Sequence, residues 1–326
     1  MKFGFNKLVI VVAGLVLIGG CSESKKTQDA QSSSEATQSS KPSRDGSWHF
    51  KVGQRVTSKG SSKRVELQNK ILTAESQCVA ASSGKTSIYV SELDSKNSVV
   101  ENNRVQRSAS VIKIFIMIEA FRQIKAGQLT LNQQVIIPAD DRVGGTGELA
   151  NQNTHQLSVK QLLRLMIRNS DNTATNVLID KLGGLAVINA EINRLGCSHT
   201  KLRRKMLDYR ALQNGKDNVT SVSDLGKTLM ALSGHRLLGH PYDSEMLQLL
   251  RYNSNQSKLS ALISRKAVIY NKTGEFPDYG VQNDAAIVKK GKRAFVVVVL
   301  SENGTQQKQI NAMQMLGKRL YAIFFS

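Results

Sequence analysis

The amino-acid sequence predicts an α+β fold in which one sheet, flanked by the two terminal helices, carries an inserted all-helical subdomain. β-rich runs occur only near the two ends of the chain, and apolar residues recur at helical spacing between and outside them. Strands so far apart in sequence share a sheet only if the helical block is an insertion, which leaves a cleft between the two parts. The first part of the sheet is preceded by a helix at about 62–82 and consists of strands at about 86–93 and 98–101. The helical subdomain follows at about 108–260. The last three strands, at about 267–271, 282–288 and 293–300, precede a final helix at about 305–323.

The charge of the chain is strongly positive. Its 326 residues include 45 Lys and Arg against 25 Asp and Glu, a formal net charge of +20. Such a surface favours polyanions, and nucleic acid, anionic lipid and anionic envelope polymers all fit that description. The location of the protein decides among them.

The N-terminal residues predict that location. Lys2 and Lys7 precede a short apolar run at 8–18, and Leu17-Ile18-Gly19-Gly20-Cys21 follows. This arrangement resembles a bacterial lipoprotein processing site, which implies a signal peptide over 1–20, lipidation of Cys21 and a membrane anchor on the extracytoplasmic side. An ordinary signal peptide with an incidental cysteine is the alternative. The polar segment 21–60 is predicted to be a disordered linker. The folded domain is predicted over 61–326, and export argues against a nucleic-acid role for the positive charge.

The remaining cysteines and the histidines give no sign of a metal site. Cys78 and Cys197 are compatible with a disulfide or with two buried thiols, and the sequence leaves both open. The five His residues are scattered, so neither a metal nor an organic cofactor is expected. A monomer is the default expectation.

The first motif that carries chemistry is Ser110-Val111-Ile112-Lys113, at the start of a predicted helix. Residues three apart share a helix face, so a desolvated Lys113 amine can serve as base for the Ser110 hydroxyl. A capping serine beside a solvated lysine is the alternative for this motif alone.

The second motif, Ser170-Asp171-Asn172, lies between two predicted helices. A second hydroxyl can relay a proton to a leaving nitrogen, and an Asn amide can hold both a lysine and a substrate amide. A helix N-cap is the alternative.

The third motif, Lys272-Thr273-Gly274, ends the predicted strand 267–271. Lys272 and Thr273 offer a positive charge and a hydroxyl for a carboxylate, and Gly274 lets a substrate lie against the strand. The backbone N–H groups of Glu275 and Ser110 are predicted to form an oxyanion hole.

In this order and context the three motifs resemble those of class A β-lactamases and related penicillin-recognising serine hydrolases. The resemblance runs from about residue 65 to the C-terminus and includes Asn176 and Gly183-Gly184. It implies the β-lactamase/transpeptidase-like fold with an antiparallel sheet. It also implies acylation of Ser110, proton transfer by Lys113 and Ser170, orientation by Asn172, and binding of a β-lactam or D-alanine-terminated peptide carboxylate by Lys272 and Thr273.

Two positions depart from the family pattern. Alignment on Thr200 and Leu202 puts Met206 where class A β-lactamases carry the Glu that activates the deacylating water, and a thioether cannot accept that proton. Asp208 is the nearest carboxylate, either a substitute base or an ordinary loop residue. Gln282 stands where many relatives carry an Arg, so Lys272 is expected to bind the carboxylate more alone.

These residues favour a β-lactam hydrolase with complete acylation machinery and slow deacylation. A cell-wall D,D-peptidase acting on peptidoglycan stem peptides is the first alternative, and a non-catalytic cell-wall binding module is the second. The glycine-rich segment 142–149 is predicted to border the cleft, as either a mobile or a tightly turned lip.

Overall fold

Nine α-helices, nine strands and four short 3-10 turns occur in the part of the chain that this computed structural model describes, residues 61–93, 98–263 and 265–326. The signal peptide, the linker and Cys21 lie outside the described residues and stay predictions. The helices are α1 (Ser61–Ala81), α2 (Lys113–Lys125), α3 (Val159–Arg168), α4 (Asn172–Lys181), α5 (Leu185–Arg194), α6 (Tyr209–Gln213), α7 (Val222–Ser233), α8 (Tyr242–Arg251) and α9 (Gln306–Phe325). The strands are β1 (Lys85–Glu92), β2 (Val99–Glu101), β3 (Gln106–Arg107), β4 (Gln134–Ile136), β5 (Gln156–Ser158), β6 (Val219–Thr220), β7 (Val268–Phe276), β8 (Val281–Lys290) and β9 (Arg293–Glu302).

Five strands form one antiparallel sheet in the order β2-β1-β9-β8-β7, which joins the two ends of the domain as predicted. Strand β9 shows why the sheet is buried on both faces. Val296, Val298 and Leu300 pack toward the helical subdomain, and Phe295, Val297 and Val299 pack toward α1 and α9. Because side chains alternate along a strand, one apolar run serves two cores.

Helix α2 is the centre of the helical subdomain. Its first nine residues, 113–121, are all buried, as expected for a helix surrounded by others rather than lying on a surface. Its one buried carboxylate, Glu119, accepts two hydrogen bonds of 2.7 Å from the Arg122 guanidinium. The first residue of the helix, Lys113, therefore lies within the core.

The structure corrects the prediction in three places. Ser110 lies in a 3-10 turn (Ala109–Ile112) that precedes α2, so it does not open the α-helix itself. Strand β7 continues through Lys272, Thr273 and Gly274, which pair with β8, whereas the sequence predicted that it ends before them. The two-stranded pairs β3–β6 and β4–β5 and the short helix α6 were not predicted.

Cys78 and Cys197 are both buried free thiols. Burial raises the pKa of each thiol to about 12, so neither is a reactive thiolate at neutral pH. No helix among the described residues is both long and apolar enough to cross a bilayer.

Glu75 of α1 is a buried carboxyl group whose two oxygens have no hydrogen-bond partner among the described residues. Burial, with a smaller contribution from Glu101, raises its pKa from 4.5 to about 9. Because the folded state binds this proton more tightly, stability is lost as pH rises from the unfolded pKa toward the folded one. We expect Glu75→Gln to raise the free energy of unfolding at neutral pH by about 3 kcal/mol.

Denaturant unfolding near pH 4 and at pH 7 measures this effect, because the penalty disappears where the unfolded carboxyl is also protonated. The exposed Glu66 of the same helix pairs with Lys70, and Glu66→Gln serves as the control with little expected change. Equal stabilities of the Glu75→Gln variant and the wild type at pH 7 would contradict the prediction.

Candidate active site

Strand β8 of the sheet holds the turn that carries Ser110. The side-chain amide of Asn283 on β8 donates to the carbonyl oxygens of Arg107 (2.9 Å) and Ser108 (3.0 Å). Ala109 follows with φ +43°, a left-handed conformation that non-glycine residues adopt rarely and mainly at constrained sites. The half-buried Ser110 is thereby presented at the start of α2.

Strand β7 runs directly beside this turn. A Cβ placed on Gly274 would lie 2.9 Å from the backbone N of Ser110 and 3.1 Å from that of Val111. Any side chain here would force the strand and the turn apart, so glycine permits the close approach. The approach puts the backbone of β7 next to the N–H of Ser110, where the sequence predicts an oxyanion hole with Glu275.

Ser170 lies between two buried lysines. Its hydroxyl oxygen accepts from the Lys272 Nζ at 3.0 Å and from the Lys113 Nζ at 3.3 Å. Lys113 also donates to the Ser170 carbonyl (2.7 Å) and to Oδ1 of Asn172 (2.9 Å). The structure thus brings Lys113, Ser170, Asn172 and Lys272 together, although they are far apart in sequence.

The hydrogen bonds of the Lys113 amine go to Ser170 and Asn172. Among the described residues, none joins this amine to the Ser110 hydroxyl. Ser110 lies three residues before Lys113, in the 3-10 turn that leads directly into α2. Ser170 is itself in a left-handed conformation, with φ +55°. This conformation directs both its carbonyl and its hydroxyl to Lys113.

Both lysines are fully buried, and both are weaker bases than lysine in water. Burial and the positive charge of Lys272 hold the pKa of Lys113 well below its usual value, although Asp171 opposes this effect. Burial and Lys258 lower the pKa of Lys272 to about 7, with Asp284 and Glu275 opposing. The lowered pKa favours the uncharged amine of Lys113, the form that is able to accept a proton.

The segment 142–149 is a tightly turned lip. Thr146 donates through Oγ1 to the Ser170 carbonyl at 2.7 Å, and Asn172 donates through Nδ2 to the Gly144 carbonyl at 3.0 Å. A Cβ on Gly147, whose φ is +92°, would overlap Asp171 at 2.2–2.4 Å. These contacts favour the tightly turned alternative over the mobile one.

Asp171, which lies between Ser170 and Asn172 in the motif, has a structural role. Its Oδ1 caps α4 by accepting from the Ala174 N–H, and its Oδ2 accepts from the N–H groups of Glu148 and Leu149. The capping alternative considered for this motif is therefore correct for Asp171, while Ser170 and Asn172 face the lysines.

Met206 is buried at a fixed position on the loop before α6. Its N–H donates to Oδ1 of Asn176 (2.8 Å), and its carbonyl accepts from Nδ2 of the same residue (3.2 Å). Asp208, two residues on, is exposed, and its carboxylate caps α6 by accepting from Ala211 at 2.9 Å. Its use as a helix cap favours the ordinary loop role over that of a substitute base.

Gln282 lies opposite Glu275 in the β7–β8 register and is almost fully buried. It supplies no charge, so the expectation that Lys272 binds the carboxylate more alone stays a prediction. Near this strand pair the structure shows a buried lysine that sequence reasoning missed. Lys258 donates to the Gly274 carbonyl at 3.1 Å and lies 3.2 Å from a carboxylate oxygen of Glu275. It belongs to an irregular segment without motif or periodicity, so no sequence signal pointed to it.

Comparison with known proteins extends the likeness beyond these residues. Residues 66–324 match the family described as the β-lactamase enzyme family. A β-lactamase of Proteus vulgaris is 25% identical over 203 residues, which cover 62% of this chain and 74% of the relative. A β-lactamase of Streptomyces albus G is 25% identical over 240 residues, covering 70% of this chain and 75% of the relative.

Solved structures give the same result for the fold. The β-lactamase from Sphaerobacter thermophilus superposes with a TM-score of 0.71 at 27% identity, covering 77% of this chain and 95% of the other. The protein named PBP-A superposes with a TM-score of 0.70 at 25% identity, covering 79% of this chain and 95% of the other. The matched region spans most of the chain and contains all three motifs, and the chain therefore belongs to the β-lactamase enzyme family as a class A-like serine hydrolase.

Proposed function

We propose that this enzyme opens β-lactams by forming an acyl-enzyme on Ser110 and releases the product slowly. The observation that carries the proposal is the Ser170 hydroxyl held between Lys113 and Lys272 beside the Ser110 turn. This arrangement supplies a base, a proton relay and a positive charge within one cleft.

Acylation follows from these groups. The Ser110 oxygen attacks the β-lactam carbonyl carbon while its proton passes to the Lys113 amine in its uncharged form, which the lowered pKa favours. Ser170 then relays a proton from Lys113 to the ring nitrogen as the C–N bond breaks. The N–H groups of Ser110 and Glu275 stabilise the oxyanion, Lys272 and Thr273 bind the substrate carboxylate, and Asn172 orients Lys113 and the substrate amide.

Slow deacylation follows from the residue at position 206. Hydrolysis of the ester needs a base that activates water on the acyl carbon, and the thioether of Met206 has no such capacity. Asn176 fixes the Met206 backbone through two hydrogen bonds. The loop therefore keeps Met206, and not a neighbouring residue, at the position where the base is expected. The carboxylate of Asp208 is already bound to the Ala211 N–H.

A D,D-peptidase acting on peptides that end in D-alanine is the second candidate, and Met206 favours it. Such an enzyme needs the same acylation machinery and a peptide carboxylate bound by Lys272 and Thr273. A chromogenic cephalosporin and a D-alanyl-D-alanine peptide, offered to the same enzyme, distinguish the two. Catalytic release of D-alanine with about one equivalent of cephalosporin opened per enzyme supports the peptidase.

Labelling with a fluorescent penicillin tests the nucleophile. We expect one covalent label per wild-type molecule and none on Ser110→Ala, because the variant lacks the attacking oxygen. Ser198→Ala removes an exposed hydroxyl that hydrogen-bonds His199 and is expected to label normally. Equal labelling of Ser110→Ala and the wild type would exclude Ser110 as the nucleophile.

A further inference from the structure

Lys258 is a fully buried lysine that the proposed mechanism does not use. It lies between α8 and β7, and its ammonium group donates to the carbonyl oxygens of Gly274 (3.1 Å) and Asn283 (3.2 Å). These two residues face each other in the β7–β8 register. The ammonium group therefore bridges the two strands at a single residue pair.

The bridged pair is the one that supports the Ser110 turn. Gly274 packs against the backbone N of Ser110, and the Asn283 side chain holds the carbonyls that precede it. A displacement of either strand at this pair would move the predicted oxyanion hole relative to the nucleophile. Misplacement of reacting groups by about 1 Å can cost on the order of 100-fold in rate.

The segment that carries Lys258 is itself anchored on several sides. Leu259 donates its N–H to Oδ2 of Asp284 at 3.2 Å, and Asn253 donates through Nδ2 to the Asn271 carbonyl at 3.1 Å. From α9, Gln314 donates to the Ser257 carbonyl at 2.8 Å. These contacts fix the position of the ammonium group beneath β7.

The charges that face Lys258 come from β7 and β8. Burial lowers the pKa of Lys258, whereas Glu275, 3.2 Å away, and the buried Asp284 both favour its charged form. Lys272 carries a charge of the same sign as Lys258, and Lys272 in turn acts on Lys113. Lys258 is one cause of the lowered pKa of Lys272, whereas Asp284 and Glu275 act in the opposite direction.

We propose that Lys258 is a positioning residue for acylation, whose buried ammonium group holds the Gly274–Asn283 pair against the Ser110 turn and whose charge acts on Lys272. This inference rests on the proposed acylation of Ser110. It predicts that the wild-type acylation rate constant falls above about pH 7, where Lys272 loses the charge that binds the substrate carboxylate. Removal of Lys258 then leaves Lys272 protonated to higher pH.

The test is the pH profile of the second-order rate constant for penicillin acylation in the full-length wild type and in Lys258→Met. The alkaline limb of this profile is the fall of the rate constant above about pH 7. We expect the variant to acylate about tenfold more slowly at pH values below this limb, and we expect the limb to move to higher pH. Lys290→Met is the matched control, because the Lys290 ammonium group also donates to a backbone carbonyl, that of Phe325, away from the site. The control is expected to keep the wild-type rate and limb.

An alkaline limb that stays in place in a folded Lys258→Met variant overturns the proposal, whatever its rate. Should that variant fail to fold, Lys258→Gln carries the test, because its amide keeps a donor for the Gly274 and Asn283 carbonyls but has no charge. Its limb is also expected to move to higher pH, and an unmoved limb contradicts the proposal. A wild type that does not acylate at all would instead overturn the proposed function.

Discussion

Replacement of Met206 by glutamate is expected to accelerate hydrolysis of the penicilloyl-enzyme by about 10²–10⁴-fold, the usual contribution of a general base. The position is suited to the change, because Asn176 fixes the backbone of residue 206 through both its N–H and its carbonyl. Acylation is expected to keep its wild-type rate, since Ser110, Lys113 and Ser170 are untouched. Stopped-flow acylation and the steady-state turnover of a penicillin measure the two steps separately.

Met206→Gln is the matched control for this experiment. Glutamine has the shape of glutamate and similar polarity, but its amide does not accept the proton of the attacking water. We expect it to leave deacylation as slow as in the wild type. Accelerated deacylation in both variants would point to a change in water access, and no acceleration in Met206→Glu would show that this residue is not placed to activate water.

Replacement of Lys113 by methionine is expected to lower the acylation rate constant by about 10²–10⁴-fold. Methionine fills a similar volume but has no amine, so the Ser110 proton loses its acceptor. Lys113 is fully buried, and an apolar side chain of similar volume avoids the cost of burying an amine. The substitution is therefore not expected to unfold the protein. Single-turnover labelling with penicillin measures the change.

Lys125→Met is the control from the other end of the same helix. Its ammonium group donates to the Leu238 carbonyl at 2.7 Å and has no contact with the site residues described above. We expect this variant to acylate like the wild type. If Lys113→Met acylates within a factor of about three of the wild-type rate, another group must accept the Ser110 proton.

The sequence was sufficient to predict the sheet, the terminal helices and most of the residues that the structure brings together in the candidate site. Ser110, Ser170 and Lys272 lie in short contiguous motifs, so their chemistry can be recognised without knowledge of the fold. The large helices and strands could be predicted because each buries apolar residues at the period of its own geometry. Strand β9 is the exception, since it is apolar on both faces and is predicted by its continuous apolar run instead.

The residues that the sequence did not reveal acquire their roles only from tertiary contacts. Lys258 follows no periodic pattern, and its burial is produced by β7, β8 and the anchoring contacts of α9. Glu75 belongs to a correctly predicted helix, but charged residues are usually exposed and nothing local indicated its burial. The end of β7 was misplaced because Lys272, Thr273 and Gly274 are not an apolar run, although their backbones pair with β8.

The most direct test of the central claim is the intact mass of the full chain after incubation with penicillin, followed over hours. We predict a single adduct of one penicillin on Ser110 that forms quickly and decays slowly, because the groups for acylation are assembled and Met206 cannot activate water. No adduct would contradict acylation of Ser110. An adduct that forms and disappears within seconds, with continued turnover, would contradict the role assigned to Met206.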